Sequence, residues 1–228
     1  RFELKAQSPV PFCGGAAGYV SYDYGCRFVG VEQKVFDDIG IPSYIFGFYD
    51  KVIAFDHEKE EIYFLAIAET DRGAQRKLDE IQADLEKQIP FARKGEMGEL
   101  GSNVSQETYV RKVKRVQEYL KNGDTYQVNF SQRFSGDCSL DPWMVYKRLS
   151  RRNPSTFACY FDYPYFQIVS CSPELLLRKR GLKVESWPIK GTVARGQNSE
   201  EDKKQVDELL GSKKDDAELS MIVDLVRN

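Results

Sequence analysis

The period of hydrophobic and polar positions changes several times along the chain, and each change predicts an element. Residues 51–56 (KVIAFD) and 61–67 (EIYFLAI) are β-rich runs on either side of the polar stretch DHEKE, which predicts a hairpin. Leu78, Ile81 and Leu85 then recur at helical spacing within 74–88. From 89 to 104 the periodicity disappears and Gly, Pro and charged residues gather. This predicts a linker at 91–104, between an N-terminal region, 1–90, and a further portion, 105–228. Ser105 precedes Tyr109, Val113, Val116 and Leu120, a stripe of period 3.6 that ends at Asn122 and Gly123, in the usual helix-stop position.

In 126–134, Tyr126, Val128, Phe130, Gln132 and Phe134 alternate with Gln127, Asn129, Ser131 and Arg133. That alternation predicts a half-buried strand with the second set on its polar face. Asp141 followed by Pro142 is an N-cap and first-turn pair for a helix to about Leu149. Strands are expected at 157–162 and 165–171, turning at Tyr163-Pro164, and at 174–179 and 182–187, turning at Arg180-Gly181. Two helices close the chain, about 200–210 and 213 onward, the second capped by Ser212 with Asp215 three residues later. Strands that come as hairpins, not as βαβ units, predict antiparallel sheets with helices packed outside, an α+β class.

Composition narrows the function. The 228 residues are 41% hydrophobic and 30% charged, enough apolar material for a folded core. A net charge of −2 with both signs interspersed leaves no basic stripe, so nucleic acid is not expected as a partner. No apolar run approaches the ~20 residues a membrane span needs, and RFELKAQSPV lacks the layout of a signal peptide. A cytoplasmic location without membrane contact is therefore expected. Five cysteines without CxxC spacing argue against a disulfide framework and a zinc site. The glycine cluster at 14–18 precedes strand-like YVSYDYG, not a helix, and is read as a tight turn, not a phosphate loop. His57 sits in a polar hairpin turn and is expected in solvent.

The candidate chemistry lies at Pro188-Ile189-Lys190-Gly191-Thr192. A turn at Arg180-Gly181 would pair Lys179 with Leu182 and set Glu174 opposite Trp187, so Glu174 and Lys190 leave the hairpin at the same end. A carboxylate near an amine beside a Gly-Thr backbone suits an acid/base and nucleophile pair, although such a lysine is also compatible with a solvated surface position. The amine must be neutral to attack, which requires desolvation or a neighbouring cation. Asn129, Ser131 and Arg133 either line the site with Gln127 or face solvent. Arg195 either contacts substrate or caps the next helix through Glu200 or Glu201, and the capping role is preferred.

Taken in order, GGAAGYVSYDYG (14–25), GDTYQVNFSQRF (123–134), NPSTFACYFDY (153–163), SPE with PIKGTVARG (188–196) and KKDDAELSMIVDLVRN (213–228) resemble the chorismate-binding family. Its members include anthranilate, aminodeoxychorismate, isochorismate and salicylate synthases. The resemblance implies part of the two-lobed anthranilate synthase component I-like sandwich. Water-adding members carry a lysine base where this chain has Gln127, so isochorismate and salicylate chemistry is not implied. PIKGT, in place of PIAGT, implies the aminodeoxychorismate synthase branch, which serves para-aminobenzoate and folate synthesis, with Lys190 as covalent nucleophile.

On that resemblance Glu174 is the general acid/base, Gly191, Thr192 and Gln127 contact substrate, and Glu218 is a ligand of Mg²⁺. Ammonia would come from a glutamine amidotransferase subunit or domain. The alternatives are an anthranilate synthase component I, or a module that only docks the amidotransferase. The family motif AEH reads Ala217-Glu218-Leu219 here, and the motif that would continue past Asn228 carries the second metal glutamate and the groups for substrate carboxylates. The chain accordingly reads as an internal fragment, expected to be inactive alone.

Overall fold

The computed structural model describes residues 8–32, 36–88 and 95–227. Two units divide the chain, Arg1–Phe91 and Ala92–Asn228. Residues 1–7 of the opening segment, residues 91–94 of the expected linker and the terminal Asn228 lie outside the described residues.

In the first unit β1 (Gly15–Val20) leads into α1 (Tyr22–Cys26) and pairs antiparallel with β2 (Tyr44–Tyr49). The glycine cluster read as a tight turn is thus mostly strand. Its glycines permit a close approach, since a Cβ on Gly18 would lie 1.9 Å from the Ile45 carbonyl oxygen. The expected hairpin is present as β3 (Lys51–Asp56) and β4 (Glu61–Ala66). Asp56 Oδ1 accepts from the amides of Glu58 and Lys59 and folds the turn back. His57 is exposed there, as its polar surroundings predict.

Helix α2 (Asp71–Leu85) starts at Thr70, whose side chain accepts from the Gly73 amide. Ile81 on its inner face is 5% exposed, a burial that contributes about 2 kcal/mol. Lys77 Nζ donates to the Asp50 carboxylate at 2.6 Å and to the Ile67 carbonyl, tying α2 to the strand ends.

In the second unit β5 (Gly101–Ser102) pairs with β6 (Phe134–Ser135), and Met97 bridges Cys138. The described part of the expected linker therefore carries ladder structure. Helix α3 (Gln106–Asn122) has the predicted limits: Ser105 Oγ accepts from the Thr108 amide, and Gly123 adopts φ 78°. Helix α4 (Pro142–Arg152) runs three residues past the expected end at Leu149. Trp143 and Tyr146 on α4 pack against Tyr160 of the next hairpin at ring distances of 5.3 and 5.9 Å.

That hairpin is β7 (Phe157–Tyr163) and β8 (Phe166–Ser172). Its loop is Pro164-Tyr165, because proline offers no amide to a ladder. Next come β9 (Leu175–Arg180) and β10 (Lys183–Trp187), joined to the previous hairpin through Phe157 and Trp187 at 6.0 Å. Helices α5 (Ser199–Gly211) and α6 (Lys213–Arg227) close the chain, and Ser212 Oγ accepts from the Asp215 amide as the cap pattern predicts. Among the described residues the five strand pairs are antiparallel and two-stranded, in accord with the α+β expectation.

Two further expectations fail in this unit. Residues 126–133 are not a strand. A strand needs a backbone partner, and backbone pairing with the 101–103 segment extends only to Arg133, whose amide donates to Asn103 Oδ1 and whose carbonyl accepts from the Asn103 amide, both at 2.9 Å, while Gln132 reaches Ser102 Oγ through its side-chain amide alone, at 3.2 Å. Before that point Phe130 turns to α3, 5.1 Å from the Tyr109 ring, with Lys112 Nζ above it at 5.9 Å.

The register of β9 and β10 is also displaced. Arg180 pairs with Lys183, and the loop is Gly181-Leu182, because a two-residue hairpin loop needs positive φ at its first position and Gly181 supplies φ 58°. A bulge at Leu176-Leu177 of β9, opposite Ser186, recovers one residue, so Leu175, not Glu174, faces Trp187.

Two-stranded sheets leave apolar faces open. Among the described residues Ile81 and Tyr163 are the buried apolar side chains, while Phe48, Leu176 and Leu182 are largely exposed. No helix of the described residues is long and apolar enough to cross a membrane.

Candidate active site

Once β10 ends at Trp187, the chain runs without regular structure through residues 188–198 to α5. Long-range contacts hold this loop. At its start, Glu174 Oε1 accepts a hydrogen bond from the Ile189 amide at 3.3 Å. The corrected register still brings the carboxylate to the hairpin mouth, because the bulge keeps β10 in step with the entry to β9. Glu174 is exposed and Lys190 is half-buried. Among the described residues the Lys190 ammonium forms no ion pair.

Gly191 is the pivot. It adopts φ 77°, a left-handed conformation that favours glycine. A Cβ there would lie 2.9 Å from Leu209 Cδ1 and 3.1 Å from both Cβ and Cγ of Asp215. The backbone beside Lys190 therefore rests on the end of α5 and the start of α6, and Thr192 follows it exposed.

Asp215, Glu218, Leu219, Ile222 and Val226 recur at helical spacing as the half-buried positions of α6, so Glu218 shares the helix face that meets the loop. Its carboxylate has Lys214 Nζ at 3.8 Å, a weak pair. Among the described residues no three His, Cys, Asp or Glu groups converge to hold a metal ion. Glu218 offers a single carboxylate, which suits Mg²⁺ held by one or two protein carboxylates with water.

At the far end of the loop Arg195 donates through Nε and Nη2 to the two carboxylate oxygens of Asp202, at 2.6 and 2.7 Å. The cap of α5 is Asn198, whose Oδ1 accepts from the amides of Glu200 and Glu201. The expectation that Arg195 caps through Glu200 or Glu201 is corrected accordingly: those residues are capped already, and the guanidinium fork meets a carboxylate one position further on.

Gln127 belongs to the irregular 125–133 segment, where its carbonyl accepts from Thr125 Oγ1 at 3.1 Å. No contact brings Gln127 to Lys190 among the described residues. Asp202 and Leu209 were not singled out from the sequence, and Asp215 was read there only as the cap partner of Ser212, not as a neighbour of the loop. Their only signal in the sequence was a glycine at 191 and an arginine at 195, and neither names its partner.

Comparison with known proteins gives these motifs a family. The chain is 34% identical to the aminodeoxychorismate synthase component 1 of Bacillus subtilis over 224 residues, which is 95% of this chain and 48% of that protein. It is 34% identical to the anthranilate synthase component 1 of Lactococcus lactis, covering 96% of this chain and 50% of that protein. Among solved structures it superposes on anthranilate synthase component I from Streptococcus pneumoniae with a TM-score of 0.85 and 29% identity, over 99% of this chain and 52% of that one. The chain thus spans about half the length of the relatives it matches. The signature described as chorismate binding enzyme runs through the Lys190 loop, the Glu174 hairpin and α6, over residues 2–228, and the chain belongs to that family.

Proposed function

We propose that the protein acts, as part of a longer polypeptide, in the amination of chorismate to 4-amino-4-deoxychorismate. One observation carries the reading: Glu174 accepts from the Ile189 amide, one residue before Lys190, so a carboxylate and a half-buried amine share one hairpin mouth. The Lys190 amine adds at C2 of chorismate as the C4 hydroxyl leaves, and Glu174 supplies the proton that makes the leaving group water. Ammonia then bonds to C4, the C2–N bond breaks, and Glu174 takes up the proton that ammonia loses while the lysine nitrogen recovers its electron pair.

Gly191 and Thr192 offer a backbone amide and a hydroxyl to the substrate at the same mouth. Gln127, a neutral amide, is suited to hold the substrate and not to deprotonate a water. Mg²⁺ on Glu218 would neutralise substrate carboxylate charge. Ammonia is drawn from a glutamine amidotransferase partner, and the site works in the cytoplasm. The open apolar faces of the two-stranded sheets support assigning turnover to the longer protein.

The test is covalent trapping. The complete protein, incubated with chorismate and Mg²⁺ without ammonia, is expected to gain a chorismate-derived mass on the peptide containing Lys190. An unmodified peptide in folded protein rejects the lysine route. A second reading, anthranilate formation, is favoured equally by the relatives at 34% identity. Product analysis with ammonia separates the two, because that route also eliminates pyruvate.

A further inference from the structure

Three donors from two adjacent residues converge on one carboxylate outside the catalytic groups. Arg195 Nε and Nη2 reach Asp202 Oδ1 and Oδ2, and the Gly196 amide donates to Asp202 Oδ1 at 3.0 Å. Helix capping does not account for Asp202, since Asn198 performs it. Nor is global stability the obvious purpose. The Arg195 side chain is 87% exposed, and pairs of that kind are individually weak in water.

What this carboxylate does accomplish is placement. A Cβ on Gly196 would lie 2.1 Å from the Asp202 amide nitrogen, so loop backbone rests directly on helix backbone. Seven residues further along α5, Leu209 meets Gly191. Seven residues make nearly two whole turns, so Asp202 and Leu209 lie on one face of α5, about 10 Å apart along its axis. That face runs like a splint under the loop from Gly196 to Gly191, and Lys190 is the next residue.

We propose that Arg195 and Asp202 are a positioning pair that locks the 188–197 loop to α5 and thereby sets where the Lys190 amine is presented. The proposal rests on Lys190 being the nucleophile of the reaction above. Neither member of the pair touches substrate. Each acts through the loop backbone, and the planar fork of arginine, not its charge alone, makes the lock.

The test uses the complete protein with Asp202→Asn, Arg195→Lys and the double variant Arg195→Gln/Asp202→Asn. Amide exchange in the peptide spanning 188–197 should rise at least tenfold in each. The rate of Lys190 adduct formation should fall about 10- to 100-fold, the scale of a misplaced reacting group, and by more than any loss of chorismate affinity through Gly191 and Thr192 of the same loop. The double variant should be no slower than the worse single one, because both remove the same lock.

Unchanged exchange and an unchanged adduct rate in folded Asp202→Asn overturn the proposal, as does an Arg195→Lys variant with parental behaviour. Should Asp202→Asn fail to fold, Arg195→Lys decides. If the parent itself forms no adduct, the nucleophile reading fails, and loop exchange alone then decides whether the lock exists.

Discussion

Two irregular segments of the second unit carry candidate site residues, and they are held very differently. Residues 188–197, with Lys190, are fastened by side chains from β9's approach, α5 and α6: Glu174 on the Ile189 amide, Leu209 and Asp215 against Gly191, and Asp202 on Arg195 and Gly196. Residues 125–133, with Gln127, are fastened at one end by Asn103 on Arg133 and Ser102 on Gln132, and midway by Phe130 against α3. The first segment has an irregular sequence and a well-held backbone. The second has a regular alternating sequence and no ladder. A strand-like pattern positions nothing until a neighbouring strand pairs with it, whereas scattered polar anchors fix a loop without any pattern at all.

The contrast is sharpened most by Gly191→Ala. The substitution combines left-handed backbone strain with collision against Leu209 and Asp215, and about 2–3 kcal/mol of lost stability is expected in chemical denaturation of the complete protein. Gly123→Ala is the control. Gly123 has nearly the same φ, 78°, with open space around its Cβ position, and should cost only about 1 kcal/mol. Equal losses at the two positions would mean that α5 and α6 do not brace the Lys190 loop.

Asn103→Ala probes the other segment. It removes the acceptor for the Arg133 amide and should cost about 1 kcal/mol, with faster amide exchange confined to residues near 133. Exchange spreading to 188–197 would erase the distinction between the two segments.

The smallest effect is expected from acid. The Arg195 guanidinium and then the Gly196 amide hold the Asp202 carboxyl below its ordinary value of 3.8. A folded-state pKa below the unfolded one means that the stabilisation is present above the ordinary carboxylate value and is lost as pH falls through the lowered one. Exchange at 188–197 should therefore stay slow down to about pH 4 and rise only below it. Loosening near neutral pH would show that the lock depends on another group.

Much of the fold was legible because its determinants are close in sequence. The stripe Tyr109, Val113, Val116 and Leu120 with Ser105 and Gly123 specified α3 at both ends, and the Ser212 pattern specified the start of α6. The expected β3–β4 hairpin formed because its turn closes through Asp56 and its own neighbours. The site was legible in part. The Pro188–Thr192 stretch and Glu174 were readable as a pair leaving one hairpin end, but the predicted register was displaced, since the turn position depends on which residue takes positive φ. Asp202 was invisible because Glu200 and Glu201, its neighbours, were equally plausible partners for Arg195 on spacing alone.

By itself the sequence determined caps, helical stripes, hairpin counts and the family motif around Lys190, all set by interactions between residues a few positions apart or by a stretch of contiguous chain. Only the tertiary structure decided that residues 126–133 lack a strand partner, that Leu175 faces Trp187, and that Asp202, Leu209 and Asp215 hold the lysine loop. The physical reason is that ladders and ion pairs depend on which segments meet across long sequence separations, and a periodic pattern states a need for a partner without naming it.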